Sequence, residues 1–175
     1  MHLFNLRRRR NRYENLEIRR AKISDFESYY NLWLQMEKQH QYEFWTKLRR
    51  ELYGIKFDKH QKLRLKKRFV KDLKDDNVSI MVGLINKIIV GFIDVRCKNL
   101  YSDKRGGIIL DLAVDKKYRN NGVATKLRDK GYEWFKLKKI SYVQIRYDPK
   151  NKLAEKIYKN WGFETDMIEM ITKLK

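Results

Sequence analysis

The strongest chemical signal in this sequence is a turn that combines a fixed cation with glycine, Arg119-x-x-Gly122-x-Ala124. It follows an apolar run from Gly107 to Val114, which predicts a strand, and it leads into a helical pattern. The first N–H groups of a helix have no intrahelical partner, and the helix dipole favours negative charge there. The turn is therefore a candidate diphosphate-binding site, with Arg119 adding positive charge at its mouth.

A second pattern follows in the next predicted helix. Its sequence is Asn151-x-x-Ala154-x-x-x-Tyr158-x-x-x-Gly162-Phe163. Ala154 and Tyr158 are four residues apart and share a helix face, so a small side chain and a phenol would meet the same ligand. Gly162 is typical of a left-handed helix stop, and Phe163 would then enter the core. Taken alone, the pattern also fits an ordinary amphipathic helix that ends at a glycine.

Together and in this order, the two patterns resemble the coenzyme A motifs of the GNAT superfamily of N-acetyltransferases. The resemblance covers nearly the whole chain. It implies an α/β fold of the mixed α+β type, the acyl-CoA N-acyltransferase fold. In that fold a splayed, mostly antiparallel, twisted sheet is flanked by helices, and acetyl-CoA lies in the opening between the fourth and fifth strands. We expect a basic arm over residues 1–15 and a single acetyltransferase domain over residues 16–175.

The resemblance also implies which residues bind the cofactor. Backbone groups of Leu112, Ala113 and Val114 would pair with the pantetheine arm as an added strand. Backbone N–H groups would hold the pyrophosphate along the turn, which consists of Arg119, Asn120, Asn121, Gly122, Val123 and Ala124. Asn151 would contact the pantetheine or the thioester side, and Tyr158 would lie near the acetyl sulfur.

The implied reaction is direct attack of a primary amine on the acetyl carbonyl. The departing thiolate benefits from a proton, and Tyr158 is the candidate general acid. A backbone N–H near Val114 is the candidate oxyanion donor, by analogy with the family. Asp111 is the only carboxylate on the predicted fourth strand and is the candidate base, with Asp94 as a fallback. A water chain, or an amine of low pKa, could replace a dedicated base.

The charge of the chain bears on its partners. The 175 residues carry a formal net charge of +20, which attracts polyanions such as RNA, ribosomes and the phosphates of CoA. The alternative explanation is a coding bias toward Lys, Asn, Ile and Tyr.

The charge disfavours free polyamines and aminoglycosides as acceptors unless the pocket is locally acidic. It favours a small acidic metabolite, or an amine presented by an anionic partner such as the ribosome or a tRNA. A rival hypothesis is a catalytically weak module that binds RNA or ribosomes through its basic surface.

Composition indicates a soluble protein without a structural metal. Hydrophobic residues make up 42% of the chain, yet no apolar run approaches the ~20 residues of a membrane helix. The N-terminal sequence lacks the order of a signal peptide, and the lone Cys97 suits a reducing compartment. We therefore expect a cytoplasmic protein with no membrane partner. Oligomeric state and the identity of the acceptor are not legible from the sequence.

Hydrophobic periodicity places the remaining elements. Ser24-x-x-Glu27 predicts a capping box at the start of a first helix, whose aromatic side chains we expect in the core. Asn86-Lys87 predicts a tight hairpin turn between two strands. The chain from Gln39 to Asp76 is mostly helical. The other predicted elements are a strand over Leu16–Ala21, strands over Val78–Leu84 and Ile88–Val95, a helix ending near Lys139, a strand over Ser141–Tyr147, a helix over Asn151–Trp161 and a final strand over Met167–Leu174.

Overall fold

The computed structural model of the chain describes residues 15–99 and 104–173. Nearly all of the predicted basic arm, including the run Arg7–Arg12, lies outside them. The described elements, in chain order, are β1 (Glu17–Arg20), α1 (Phe26–Gln39), α2 (Lys47–Tyr53), α3 (Lys59–Asp72), β2 (Val78–Ile85), β3 (Ile88–Asn99), β4 (Arg105–Val114), α4 (Val123–Leu137), β5 (Val143–Ile145) and α5 (Lys152–Asn160).

The five strands form one sheet in the order β1-β2-β3-β4-β5. The first four strands pair antiparallel, and β5 pairs parallel with β4. Asn86 and Lys87 take positive φ values of 50° and 65°, the conformation that a two-residue hairpin turn requires. The predicted fold class, a mostly antiparallel sheet flanked by helices, is confirmed.

Two apolar clusters cover the faces of the sheet. On one face α1 and α3 pack through a tight aromatic group, in which the Tyr29 ring lies 4.7 Å from Phe69 and 4.5 Å from Phe92. On the other face α4 packs through Leu127 and Phe135. The predicted core role of the α1 aromatic side chains is confirmed, since the first helix buries Phe26, Tyr29 and Trp33.

The sheet opens beside β4. The three residues of β5 pair with residues 107–109 only, whereas β4 continues to Val114. A register shift between β3 and β4 leaves Leu110 as an extra residue, because Asp94 lies opposite Asp111 while Val95 lies opposite Ile109. This β-bulge reverses which residues of β4 point to each face and each edge. The second half of β4 therefore presents an edge to an opening that β5 does not fill.

Three local predictions are wrong. Residues 167–173 form no strand, since their apolar residues come in pairs (Met167-Ile168 and Met170-Ile171) and do not alternate. The fifth strand has three residues where seven were expected. The Ser24 capping box does not form, because Asp25 accepts the Lys22 N–H at 2.7 Å and Glu27 instead pairs with Lys62 at 2.7 Å.

Candidate active site

A cavity of about 620 Å³ occupies the opening between the end of β4 and α5, with the C-terminal half of α1 as its third wall. All of the predicted cofactor-binding residues except Asn121 line it. They are Leu112, Ala113, Val114, Arg119, Asn120, Gly122, Val123, Ala124, Asn151 and Tyr158. Residues of the two motifs, which are far apart in the sequence, thus line the same cavity, as their predicted common ligand implies.

The β4 backbone offers hydrogen-bonding groups to this cavity. The Asp115 N–H donates to the Val90 carbonyl at 2.9 Å, which fixes the alternation of the ladder between β3 and β4. In an antiparallel pair every second residue bonds to the neighbouring strand, so the Ala113 groups face β3. The groups of Leu112 and Val114 face the opening. Two of the three predicted pantetheine partners are therefore oriented for pairing, and Ala113 contributes its small side chain to the wall.

The turn after β4 is shaped by left-handed residues. Asn120 and Gly122 have φ values of 62° and 77°, and Gly122 is the N-terminal cap residue of α4. The Asn121 side chain folds back and donates to the Arg119 carbonyl at 2.7 Å, which explains why it does not line the cavity. Since Gly122 has no side chain, the first N–H groups of α4 are open to an anion.

The Arg119 guanidinium is anchored at two points. Its Nε donates to the Val114 carbonyl at 3.0 Å, and both terminal nitrogens lie 3.4 Å from the Gln39 side-chain oxygen. These contacts join the end of β4, the turn and the end of α1. The positive charge is thus held at the mouth of the cavity beside the start of α4.

The two predicted site residues at α5 line the cavity: Asn151, the N-terminal cap residue, and Tyr158 within the helix. The Asn151 side-chain oxygen accepts the Ala154 N–H at 3.0 Å and caps the helix, so its amide nitrogen remains as the donor for a ligand. Tyr158 packs against Trp161 and Phe163, with ring centroids at 5.6 and 6.2 Å. Burial, and then the charge of Asp111, raise the pKa of Tyr158 to about 12. The phenol therefore keeps its proton near neutral pH.

Asp111 lies two residues before Ala113 on the same face of β4, so the bulge directs it toward α1 and α3. Its side chain is 16% exposed, and its Oδ2 lies 3.8 Å from the Arg68 guanidinium. Burial, and then the charge of Asp94, raise the pKa of Asp111 to about 7, against an opposing effect of Arg68. A carboxylate of this acidity can accept a proton near neutral pH.

The fallback base is engaged elsewhere. The Asp94 side chain is fully buried, and both of its oxygens accept hydrogen bonds from Arg96, at 2.9 and 2.7 Å. Burial raises the pKa of Asp94 while Arg96 opposes the rise. This carboxylate is therefore a structural partner of Arg96 and is closed to a substrate.

Sequence reasoning missed the α1 wall of the cavity. The residues that it contributes, with those of the π-helical turn His40–Phe44, are Leu32, Gln35, Met36, Gln39, His40 and Phe44. Burial lowers the pKa of His40, which keeps its imidazole neutral. The periodicity of α1 shows an apolar stripe, but periodicity does not reveal that this stripe extends past the sheet into an opening.

The raised pKa of Asp111 predicts a pH-dependent effect on stability. The pKa of about 7 lies above the ordinary value of 3.8, so the folded state binds the proton more tightly and stability falls as pH rises between these values. Asp111→Asn removes this loss. Its unfolding free energy relative to the wild type should improve by about 1–4 kcal/mol between pH 4 and pH 8, since one pKa unit corresponds to about 1.4 kcal/mol. Denaturant melts at the two pH values measure this, and an equal difference at both would contradict it.

Within residues 15–99 and 104–173, no group of three or more His, Cys, Asp or Glu side chains could hold a metal ion. No helix in the same part of the chain is long and apolar enough to cross a membrane.

Comparison with known families gives one match that spans most of the chain. The model of the acetyltransferase (GNAT) family matches residues 26–163. This range runs from α1 to the end of α5 and contains every residue that lines the cavity. No curated protein matches the sequence closely enough to count as a relative.

Solved structures share the fold at low sequence identity. A tetramutant of a Bacillus halodurans protein is 18% identical with a TM-score of 0.74, over 90% of this chain and 99% of that one. A predicted acetyltransferase from Clostridium acetobutylicum, solved with acetyl-CoA, is 18% identical with a TM-score of 0.70, over 90% and 96%. An aminoglycoside acetyltransferase from an uncultured soil sample, in complex with sisomicin, is 21% identical with a TM-score of 0.65, over 91% and 97%.

Proposed function

The chain belongs to the GNAT family of acetyltransferases, and on that premise we propose that it transfers the acetyl group of acetyl-CoA directly to a primary amine. The observation that carries this proposal is the cavity at the open edge of β4. There a phosphate-type turn, a strand edge with outward-facing backbone groups and a protonated phenol meet. This combination suits a ligand with a diphosphate at one end and a thioester at the other.

The cofactor lies along the cavity in this proposal. The N–H groups at the start of α4 bind the pyrophosphate, and Arg119 contributes charge beside them. Leu112 pairs with the amide groups of the pantetheine arm as an added strand would, and the Val114 carbonyl, which also accepts from Arg119 Nε, extends this pairing. The Asn151 amide donates to the same arm, which places the thioester near Tyr158.

Proton movement then follows from the acidities of the side chains. Asp111 accepts a proton from the acceptor ammonium, and the neutral amine attacks the acetyl carbon. The Val114 N–H, which faces the opening, donates to the oxyanion of the tetrahedral intermediate. As the C–S bond breaks, the electron pair goes to sulfur, and Tyr158 donates its proton to the thiolate. The attacking nitrogen loses its extra proton to water, and the Tyr158 phenolate regains a proton from water. The products are the N-acetylated acceptor and CoA.

Tyr158→Phe is expected to lower kcat by about 10-fold to 100-fold, while the acetyl-CoA Kd changes by less than about 3-fold. This loss lies at or below the lower end of the usual range for acid catalysis, about 100-fold, because a thiolate is a moderately good leaving group. Tyr147→Phe is the matched control, since its ring lies 6.1 Å from that of Tyr158 and it is not among the residues lining the cavity. If the kcat of Tyr158→Phe equals that of the wild type, the phenol is not the acid.

The acceptor is a primary amine whose class is set by the environment of the cavity. The net charge of +20 favours amines that an anionic partner presents, such as a ribosomal protein or an aminoacyl-tRNA. The structurally similar soil enzyme is named for aminoglycosides. Glu37 and Asp111 do not line the cavity, but the charge of Asp111 reaches the cavity-lining Tyr158. Together they supply negative charge that a small cationic amine would need, and Arg68 partly offsets it. The family match gives no support to the rival of a catalytically weak RNA-binding module.

A screen of acceptors by release of free CoA tests the proposal. The panel contains polyamines, aminoglycosides, N-terminal peptides of ribosomal proteins, an aminoacyl-tRNA analogue and small acidic amines. We expect one class to release CoA well above the rate without acceptor, with the acetylated product visible by mass spectrometry. CoA release that no acceptor raises, together with no acetylated product, would contradict the proposal.

A further inference from the structure

A network of ion pairs joins β3, α3 and β4 and ends at Asp111. Arg96 binds both oxygens of Asp94 and also contacts the Asp72 carboxylate at 2.5 Å. The Arg68 Nε lies 3.7 Å from the same Asp72 oxygen, and its Nη2 lies 3.8 Å from Asp111 Oδ2. The network thus connects β3 through α3 to the candidate base on β4.

The two ends of this network differ. Asp94 is held by two short, charge-assisted hydrogen bonds, whereas the contact between Arg68 and Asp111 is longer than a hydrogen bond. Arg68 is shared between two carboxylates, and its side chain is 41% exposed. Asp111 is therefore held by charge and remains free to take up a proton.

Charged and titratable groups face Asp111 from each neighbouring element. They are Arg68 on α3, Asp94 and Arg96 on β3, Glu37 and Tyr29 on α1, and Tyr158 on α5. Arg68 favours the ionised form of Asp111, and Glu37 opposes it. Burial raises the pKa of Glu37, and its Oε2 is buried without a hydrogen-bond partner among the described residues. Arg68 and Glu37 therefore act on Asp111 with opposite sign.

We propose that Arg68 is a positioning residue for the transfer reaction, which holds the Asp111 carboxylate on β4 directly before the cavity-lining residues Leu112, Ala113 and Val114 and sets its proton affinity against the opposing charge of Glu37. The inference rests on the proposed function, because it gives Asp111 the role of base. Arg68 lies on α3, in the helical segment before the second strand. The helix α3 thus contributes to the chemistry although none of its side chains lines the cavity.

The physical basis is a charge interaction that water only partly screens. Loss of the Arg68 cation leaves Asp111 beside Glu37 and Asp94 without its nearest counter-charge. A carboxylate in that position binds its proton more tightly. Loss of the Glu37 charge does the reverse. Asp72 keeps its contact with Arg96 in either variant, so the ion pairs between Arg96, Asp72 and Asp94 remain.

The test compares the pH dependence of kcat in four proteins: the wild type, Arg68→Gln, Glu37→Gln and Arg68→Lys. The acidic limb should move upward by about 0.5–1 pH unit in Arg68→Gln and downward in Glu37→Gln. It should stay within about 0.3 unit in Arg68→Lys, which keeps the charge. A purely structural role of Arg68 would lower kcat without moving the limb. The charges that face His40 are Asp148 and Arg49, so a limb that follows Arg68 and Glu37 belongs to Asp111.

A second measurement does not need turnover. Carboxyl-carbon NMR of aspartate-labelled protein, assigned with Asp111→Asn, should show the same opposite displacements of the Asp111 titration in the two variants. If neither the limb nor the NMR titration moves, the inference is overturned. If the NMR titration moves as expected but the wild type transfers no acetyl group to any acceptor, then Arg68 tunes Asp111 but the proposed function is overturned, and the catalytic part of the inference with it.

Discussion

Gly122→Val is expected to weaken acetyl-CoA binding at least about 100-fold while the protein remains folded. Gly122 has a φ of 77°, a conformation that a β-branched residue rarely adopts. The valine side chain would also cover the N–H groups at the start of α4. Losing two charge-assisted hydrogen bonds to phosphate costs about 3 kcal/mol, which corresponds to about 100-fold in Kd. Isothermal titration calorimetry of both proteins with acetyl-CoA measures the loss.

Gly162→Val is the matched control for backbone strain. Gly162 has a φ of 86° at the end of α5, and an added side chain there meets no atom within 4 Å. We expect both variants to lose similar stability in thermal melts, with only Gly122→Val losing the cofactor. Acetyl-CoA binding of wild-type strength by Gly122→Val would mean that the turn does not hold the pyrophosphate.

Asp111→Asn is expected to lower kcat by about 100-fold to 1,000-fold at neutral pH, with the Kd of acetyl-CoA changed by less than about 3-fold. General base catalysis typically contributes a factor of this size, and an amide cannot accept the proton. The acidic limb of the pH profile should disappear together with the rate. Kinetics from pH 5.5 to 9 measure both effects.

The control for Asp111→Asn is Asp129→Asn on α4, whose side chain is 52% exposed and pairs with the neighbouring Arg128. Its kcat and pH profile should match those of the wild type. Should Asp111→Asn keep the wild-type kcat and the acidic limb, the carboxylate is not the base. In that case the proton leaves through water, or the acceptor amine is already neutral.

The cavity walls that carry the two motifs could be predicted from the sequence because the information for them is local. A strand, a turn with glycine and a helix start are read from adjacent residues, and the left-handed φ of Gly122 agrees with that reading. The end of α5 at Gly162, which has a left-handed φ of 86°, could be predicted for the same reason. Asn151 and Tyr158 could be predicted as site residues from the residue spacing within a single helix.

The surroundings of Asp111 depend on contacts between distant elements, and these leave no periodic signal in the sequence. The bulge at Leu110 turns Asp111 toward α1 and α3, and nothing in the alternation of the β4 sequence marks it. Arg68 belongs to a helix rich in lysine and arginine, and nothing in that sequence indicates that its guanidinium lies 3.8 Å from the Asp111 carboxylate. The net charge of a sequence also says nothing about where the charges lie. The chain carries a net charge of +20, yet Glu37, Asp94 and Asp111 lie close enough to act on one another.

Titration of acetyl-CoA into the purified protein tests the central claim most directly. The account predicts one binding site per chain, an increase in melting temperature with acetyl-CoA concentration, and loss of both in Gly122→Val. Binding heat at the level of buffer and an unchanged melting temperature at millimolar acetyl-CoA would contradict it.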